Sequence, residues 1–271
     1  MSGIGISHGA VSVMNAIPCG IGSTIGIDLT TEAKFDVSDE TKIILFDRPN
    51  LKDDLVKCCV TRTLERIGQE PIDYELTVRT QIPPSMGLKS SSSVCNAVIS
   101  SVLQHFGERM EQIDIIKLGV ECAKECKVTI TGAFDDACGC GLGGLVITNN
   151  SDNRLIERIE IPRYDVVICV PDRMIPKNKV PVEKYKALAS KYEEMVPSIS
   201  TDYLKVLTMN GAYVQEIIDD DSDIAMTAMS LGALAAGITG TGPATAIIAE
   251  KGKGKDLAKE LGLNTIITET R

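Results

Sequence analysis

Two stretches of the chain carry residues that could bind and transfer a phosphate group. In the first, QIPPSMGLKSSSSVCNAVISSVL over 81–103, a Pro pair and Gly87 precede four serines and a run with helical spacing. The free N–H groups of a first helical turn, with the positive end of the helix dipole, bind anions. A serine hydroxyl there can also reach a phosphate-bound Mg²⁺. A helix that is merely well capped explains the same serines equally well.

The second stretch, TITGAFDDACGCGLGG over 129–144, contains two adjacent carboxylates among small apolar residues, Asp135 and Asp136. Phosphoryl transfer needs a carboxylate near the accepting hydroxyl, and usually another near Mg²⁺. An aspartate pair at a turn or a helix start is nevertheless common in proteins. This stretch therefore indicates a catalytic site only in combination with the others.

Glycines mark two further stretches of the chain. LGALAAGITGTGPATAII, over 231–248, places glycines between a helix and a strand, and NAIPCGIGSTIGIDL, over 15–29, places polar residues at the entry to a strand. Such glycines serve either a tight turn or a loop whose backbone approaches a ligand closely. The polar residues of the N-terminal stretch are candidates for contacts with a substrate, namely Ser23, Thr24 and Asp28.

The spacing of apolar residues predicts strands interleaved with helices in the first half of the chain. The predicted strands are 25–29, 42–47, 76–82 and 143–148, and the predicted helices are 51–67, 91–106 and 112–126. The polar cluster NNSDNR at 149–154 is the best candidate for a domain boundary. We therefore expect one domain over 1–152 and a second over 153–271.

In the second half, strands and helices follow a different arrangement. The predicted strands are 155–161, 165–171, 244–249 and 264–269, and the predicted helices are 182–195, 203–218, 223–236 and 255–261. Strands with helices on one side of them are typical of an α+β domain.

Composition excludes several classes of partner. The 271 residues carry a net charge of −9, which argues against a nucleic-acid or anionic-membrane surface, although backbone N–H groups and Mg²⁺ can still hold a nucleotide. The nine cysteines include no CxxC pair, which favours reduced core thiols in a cytosolic protein. The N-terminus lacks a basic signal region, and no apolar run reaches the roughly 18 residues that span a membrane. We therefore expect a cytoplasmic protein.

Taken together, the four stretches resemble the GHMP kinases, the superfamily of galacto-, homoserine, mevalonate and phosphomevalonate kinases. PPSMGLKSSSS at 83–93 is similar to the second family motif, with Lys89 in place of its middle glycine, and GITGTGPATAII at 237–248 is similar to the third. GAFDDA at 132–137 falls where the family places its catalytic aspartate. Within the superfamily, GIGSTIGIDL and TGAFDDA look most like the archaeal shikimate kinases, while residues 1–33 lack the N-terminal lysine of mevalonate kinases.

The resemblance implies an α+β, two-domain GHMP kinase fold, with an N-terminal domain of the ribosomal-protein type and a ferredoxin-like C-terminal domain. It implies an enzyme that uses ATP and Mg²⁺ to phosphorylate a hydroxyl of a small carboxylic acid, with shikimate, giving shikimate 3-phosphate, as the favoured substrate. Homoserine, mevalonate-like compounds and pantoate are alternative acceptors, and a non-catalytic nucleotide or sugar-acid sensor on the same fold is a further reading. The oligomeric state stays open.

The resemblance also assigns residues to roles. Asp135 matches the catalytic aspartate, and the metal ligands would be Ser91 and Glu125. The loop that wraps the ATP phosphates would consist of Pro84, Ser85, Met86, Gly87, Leu88, Lys89, Ser90, Ser91 and Ser92. The substrate contacts would be Ser23, Thr24, Asp28, Asp135, Gly240, Thr241 and Gly242.

Positively charged residues at two places in the chain can be interpreted in more than one way. Lys89 either adds a positive charge at the phosphates or points to solvent. The loop PDRMIPKNK at 171–179 offers cations for the substrate carboxylate, or it is an ordinary basic surface loop; its cations are Arg173, Lys177 and Lys179.

Overall fold

The structure, a computed structural model, describes residues 2–46, 53–129, 132–175 and 179–271, which form two β-sheets with helices packed on them. The α+β class expected from the sequence is therefore confirmed. Lys177 and the ends of the predicted strand 42–47 and helix 51–67 lie outside the described residues.

The first sheet has the strand order β3-β4-β2-β5-β6, and β1 also pairs with β2. Its strands are β1 (Gly3–Met14), β2 (Ile21–Val37), β3 (Lys42–Leu45), β4 (Tyr74–Thr80), β5 (Leu145–Asn149) and β6 (Arg154–Ile159). The pairs are antiparallel except for β3 with β4. The sequence patterns did not predict β1, because glycines and serines, which disfavour strands, interrupt its apolar residues.

Four helices of the described chain form a layer on the first sheet, namely α1 (Asp54–Arg66), α2 (Ser90–Phe106), α3 (Gln112–Glu125) and α4 (Phe134–Leu142). Helices α2 and α4 contact the strands directly, and α1 and α3 pack against α2. Helix α2 is the central one, with buried residues on nearly every side from Ser93 to Leu103. Apolar side chains of α1, α2 and α3 share one core cluster with those of β4. This burial fixes the position of the α2 N-terminus.

The second sheet is antiparallel, with the strand order β10-β7-β9-β8. Its strands are β7 (Asp165–Cys169), β8 (Ala235–Ile238), β9 (Thr245–Ala249) and β10 (Thr265–Glu269). The helices of this half are α5 (Val182–Lys186), α6 (Ala189–Met195), α7 (Tyr203–Ile217), α8 (Ile224–Ser230) and α9 (Gly254–Leu261), and a 3₁₀ turn spans Val196–Ser198. A single buried cluster joins the two sheets through Ile25 and Leu145 on one side and Val166 and Ile248 on the other.

Some boundaries differ from those predicted. The helix predicted over 223–236 ends at Ser230, because Gly232 adopts a positive φ of 93°, and residues 235–238 form β8 instead. The helix predicted over 182–195 is two short helices, and α4 was not predicted. Strand β6 follows the expected domain boundary but pairs with β5 in the first sheet, and the division at residue 152 stays a prediction.

Within the described ranges, no helix is both long enough and apolar enough to cross a bilayer.

Candidate active site

A cleft lies where the loop before α2 meets the start of α4 and the loop between β8 and β9. Residues from all three segments line it, among them Gly87, Lys89, Ser91, Asp135, Gly240 and Thr241. The segment after β1 closes one side with Asn15 and Ile17. The structure thus brings together the second and third glycine-rich motifs and the aspartate pair, which are far apart in the sequence.

The loop before α2 is held in a left-handed conformation at alternate positions, with positive φ at Ser85, Gly87 and Lys89. Gly87 is required for two reasons. Its φ is 79°, and a Cβ there would lie 2.0 Å from the Thr239 carbonyl oxygen, so only glycine lets this loop contact the β8–β9 loop. The contact is reinforced by Thr239 Oγ1, which donates to the Gly87 carbonyl at 3.3 Å.

Serine hydroxyls surround the first turn of α2. Ser91 is exposed and Ser92 half-buried, and both line the cleft together with the buried Ser90. Within the described part of the chain, neither Ser90 Oγ nor Ser93 Oγ has a hydrogen-bond partner. Buried hydroxyls without partners are uncommon in folded proteins. Of the two, Ser90 lines the cleft, and its hydroxyl next to the free N–H groups of a helix start fits a site that holds an anion.

Lys89 points into the cleft and not to solvent. Its side chain is 4% exposed, and Nζ lies 2.8 Å from Asp136 Oδ1. The same ammonium group donates to Ser12 Oγ at 2.7 Å. The departure from the family motif therefore places a buried positive charge beside the aspartate pair.

Asp135 is the second residue of α4 and is 4% exposed. Asn150 Nδ2 donates to its Oδ1 at 2.6 Å, and Thr24 Oγ1 donates to its backbone carbonyl at 2.9 Å. Gly22 leaves the space for this carboxylate, because a Cβ at Gly22 would lie 2.5 Å from Asp135 Oδ2.

Burial and, less strongly, the neighbouring charge of Asp136 raise the pKa of Asp135, whereas Lys89 and the hydrogen bond from Asn150 lower it, and the net result is a pKa of about 6. A carboxylate with such a pKa is ionised at neutral pH and can still take up a proton, which is the property of a general base.

The polar residues predicted at the entry to β2 do not line the cleft. Ser23 is fully buried, and its Oγ donates to the Val146 carbonyl at 2.8 Å. The Thr24 hydroxyl donates to the Asp135 backbone carbonyl. Asp28 is half-exposed and lies 3.7 Å from His8 Nε2, away from the cleft. Ser23 and Thr24 thus support the sheet and α4. Both of their hydroxyls already donate to backbone carbonyls and are not free to donate to a substrate.

Glu125 also lies elsewhere. Its Oε2 accepts hydrogen bonds from Arg62 Nε at 3.1 Å and Nη2 at 2.7 Å, on the outer surface formed by α1 and α3. Within 2–46, 53–129, 132–175 and 179–271, no group of three or more His, Cys, Asp or Glu residues is arranged to hold a metal ion. The chain as described therefore offers Ser91 but not Glu125 toward a cation in the cleft.

The remaining predicted residues lie in the cleft, in the core or at the surface. Those that line the cleft are Ser85, Gly87, Leu88, Lys89, Ser90, Ser91, Ser92, Gly240, Thr241 and Gly242. Met86 packs in the core and Pro84 is exposed outside the lining. Arg173 pairs with Asp220, Lys179 is exposed, and the 171–179 loop contributes Ile175 to the cleft.

Asn15 and Asn150 were not predicted. Asn15 Nδ2 donates to the Gly240 carbonyl at 2.9 Å, which fixes the β8–β9 loop. Asn150 belongs to the polar cluster at 149–154 that was interpreted as a domain boundary. The only signal in the sequence was its place directly after an apolar strand, where side chains often face a site.

Comparisons with known proteins agree with this geometry. Residues 54–144 match the family described as GHMP kinases N terminal domain. The chain is 35% identical to a shikimate kinase of Methanothrix thermoacetophila over 262 residues, which cover 96% of this chain and 89% of that protein. It is 36% identical to a shikimate kinase of Pyrococcus furiosus over 275 residues, with full coverage of both chains.

Solved structures show the same fold at lower identity. The mevalonate kinase of Methanococcus jannaschii superposes with a TM-score of 0.81 at 19% identity, covering 98% of this chain and 97% of the other. The homoserine kinase of Cytophaga hutchinsonii gives a TM-score of 0.78 at 17% identity, covering 100% and 94%. The expected GHMP kinase fold is therefore confirmed, and the chain belongs to the GHMP kinases, in the family of the archaeal shikimate kinases.

Proposed function

We propose that this chain transfers the γ-phosphoryl group of ATP to a hydroxyl of shikimate, giving shikimate 3-phosphate. The observation that carries the proposal is the position of Asp135, a buried carboxylate in the same cleft as the α2 N-terminus. A base for the acceptor hydroxyl and an anion site for the phosphates thus face one volume. Shikimate is the acceptor named by the relatives that match nearly the whole chain.

The ATP phosphates would bind along the loop from Ser85 to Ser92. GHMP kinases use ATP, and the fit here rests on the free N–H groups of the α2 start and on the unpartnered Ser90 hydroxyl. Mg²⁺ would be held by phosphate oxygens and Ser91, the exposed hydroxyl of the first turn. The ion would supply neutralisation of the phosphate charge.

In the transfer step, Asp135 accepts the proton of the acceptor hydroxyl while that oxygen forms its bond to the γ-phosphorus. The bond between the γ-phosphorus and the bridging oxygen breaks, and ADP leaves with that electron pair. A positioned general base contributes about 10²–10⁴ in rate. Lys89 places a fixed positive charge beside the aspartate pair. Charge stabilisation and positioning would supply the rest of the rate acceleration.

The acceptor would bind on the side of the cleft formed by Asn15, Gly240, Thr241 and Gly242. The Gly240 carbonyl is held by Asn15, so this wall is rigid before an acceptor arrives. Rigid walls suit the discrimination of small alcohols, because a misplaced hydroxyl loses its alignment with the phosphorus.

The test is ADP release measured with shikimate, homoserine, mevalonate and pantoate in parallel. We expect turnover with shikimate and a loss of at least about 10²-fold in kcat for Asp135→Asn, whose shape matches the wild-type side chain. If ADP is released only in the presence of one of the other alcohols, that alcohol and not shikimate is the acceptor. ATP binding without turnover on any of the four would instead favour a nucleotide sensor.

A further inference from the structure

Asn150 lies directly beside the Asp135 carboxylate, at the end of β5. It is 3% exposed, and its backbone N–H donates to the Gly20 carbonyl at 2.8 Å. The backbone of Asn150 is thus anchored to the residue directly before β2, and its chain position is set by β5, which ends one residue earlier. A side chain on such a base has little freedom to rearrange.

The hydrogen bonds of Asn150 determine which end of its amide faces Asp135. The Asp135 backbone N–H donates to Asn150 Oδ1 at 3.1 Å, and only the oxygen end of an amide can accept from an N–H. Thr148 Oγ1 donates to the same oxygen at 2.8 Å. The nitrogen end therefore faces Asp135 Oδ1, to which it donates at 2.6 Å.

The backbone of Asp135 is held as well. Thr24 Oγ1, on β2, donates to the Asp135 backbone carbonyl, and Gly22 lies against Oδ2. Neutral groups on β2 and directly after β5 thus fix Asp135. The charged and titratable groups that face it are Lys89, from the loop before α2, and Asp136 and Cys138, from its own helix.

We propose that Asn150 is a positioning residue for the phosphoryl transfer, which holds one oxygen of the Asp135 carboxylate in place while Thr148 holds Asn150. This role rests on the proposed kinase function, since Asp135 acts as a base only in that reaction. The pair is distinct from the phosphate loop and from the acceptor wall, because neither side chain lines the cleft. It acts only through Asp135.

The hydrogen bond from Asn150 favours the ionised form of Asp135. Burial and Asp136 raise the pKa of Asp135, and Asn150 opposes them together with Lys89. Removing the amide donor therefore raises this pKa further, so the acidic limb of kcat/KM against pH moves to higher pH. A residue that only supported the fold would change stability and leave the acidic limb where it is.

The experiment compares wild type with Asn150→Ala in ADP release from shikimate and ATP across pH. We expect kcat to fall about tenfold or more and the acidic limb to move upward by about one pH unit. Asn149→Ala is the matched control, because the Asn149 side chain accepts from the Ser151 N–H and contacts neither Asp135 nor Thr148 through a hydrogen bond in the described chain. Its acidic limb should coincide with that of wild type.

An acidic limb of Asn150→Ala that coincides with wild type would overturn the inference, whatever happens to kcat. Should Asn150→Ala not fold, Thr148→Val decides in its place, because it removes the hydroxyl that orients the amide and, besides that bond, only a longer one of 3.4 Å to the Gly22 carbonyl. We expect a smaller movement in the same direction there, and an unmoved limb overturns the role. If the wild-type protein shows no turnover with shikimate, that outcome counts against the proposed function. It is distinct from an unmoved acidic limb in a variant, which counts only against the role of Asn150.

Discussion

Lys89 and Asp136 form an ion pair inside the cleft, with Nζ 2.8 Å from Oδ1 and with 4% and 13% of the two side chains exposed. Because little water reaches this pair, each of its charges acts strongly on the adjacent carboxylate. The two act in opposite directions, since Asp136 raises the pKa of Asp135 and Lys89 lowers it. Burial is the largest cause of the raised pKa of Asp135, and the pair adjusts the pH range over which this carboxyl group is ionised.

The two partners can be separated by their effects on the pH–rate profile. Lys89→Met removes the charge that lowers the Asp135 pKa, so the acidic limb of kcat/KM should move to higher pH, with a fall of about 10²-fold in kcat. Asp136→Asn removes the charge that raises this pKa, so its limb should move to lower pH. Lys34→Met is the control, because Lys34 pairs with Asp36 at the surface. Limbs that move in the same direction in both variants would contradict this account.

Contact between the two glycine-rich loops should depend on Gly87. Gly87→Ala combines the cost of a side chain at a φ of 79° with a Cβ that would lie 2.0 Å from the Thr239 carbonyl oxygen. Gly68→Ala is a matched control, because its φ is 69° and nothing lies within 4 Å of the added Cβ. We expect about 1 kcal/mol of destabilisation for the control and at least about twice that for Gly87→Ala.

The measurements for Gly87→Ala are thermal unfolding and the dissociation constant for ATP. The control should bind ATP as wild type does, whereas Gly87→Ala should weaken ATP binding, since the loop that carries the phosphate site must shift. Equal losses of stability in the two variants would show that the backbone conformation matters and the loop contact does not.

How far the sequence predicts this site depends on how local each signal is. The loop before α2 and the start of this helix were predictable because Pro, Gly and Ser act on their own backbone, within a few residues of the helix they start, while phosphate binding by the loop stays a prediction. Glu125 was placed on the correct helix, but the helix face that it occupies depends on packing against α1, where Arg62 binds it. A single sequence does not encode that contact in any local pattern.

The residues around Asp135 show the same limit. Ser23 and Thr24 were predicted as substrate contacts from their place at a strand entry. The pairing of β2 with β5 directs the Ser23 hydroxyl to the Val146 carbonyl, and the packing of α4 on β2 brings the Asp135 carbonyl to the Thr24 hydroxyl. Asn150 comes beside Asp135 only because β5 and α4 pack together. Tertiary packing decides these positions, and periodicity reports only the elements themselves.

Metal dependence should distinguish Ser91 from Glu125. Ser91→Ala removes the exposed hydroxyl at the first turn of α2, so the Mg²⁺ concentration for half-maximal rate should rise severalfold. Glu125→Gln should leave that concentration unchanged, because Glu125 pairs with Arg62 on the outer surface. The stability cost of Glu125→Gln should stay within about 1 kcal/mol, as is usual for exposed pairs. A raised Mg²⁺ requirement in Glu125→Gln would return Glu125 to the metal site.

Asp135 should lower the stability of the fold at neutral pH, as a buried base does. Its pKa is raised from 3.8 to about 6 in the folded protein, so the unfolded chain loses this proton first as pH increases. The folded state is therefore penalised progressively above about pH 4, and fully above about pH 6, by up to about 3 kcal/mol. Asp135→Asn carries no charge and keeps an oxygen that can accept from Asn150, so it escapes this penalty.

We therefore expect Asp135→Asn to be inactive and yet more stable than wild type at pH 7.5, with the difference largely gone at pH 4. Urea unfolding at the two pH values measures it, and Asp28→Asn, at the half-exposed pair with His8, is the control. Stabilisation that appears only where Asp135 is ionised would tie the cost to its buried charge. A difference of the same size at both pH values would instead assign the effect to packing, and the raised pKa would then have no part in it.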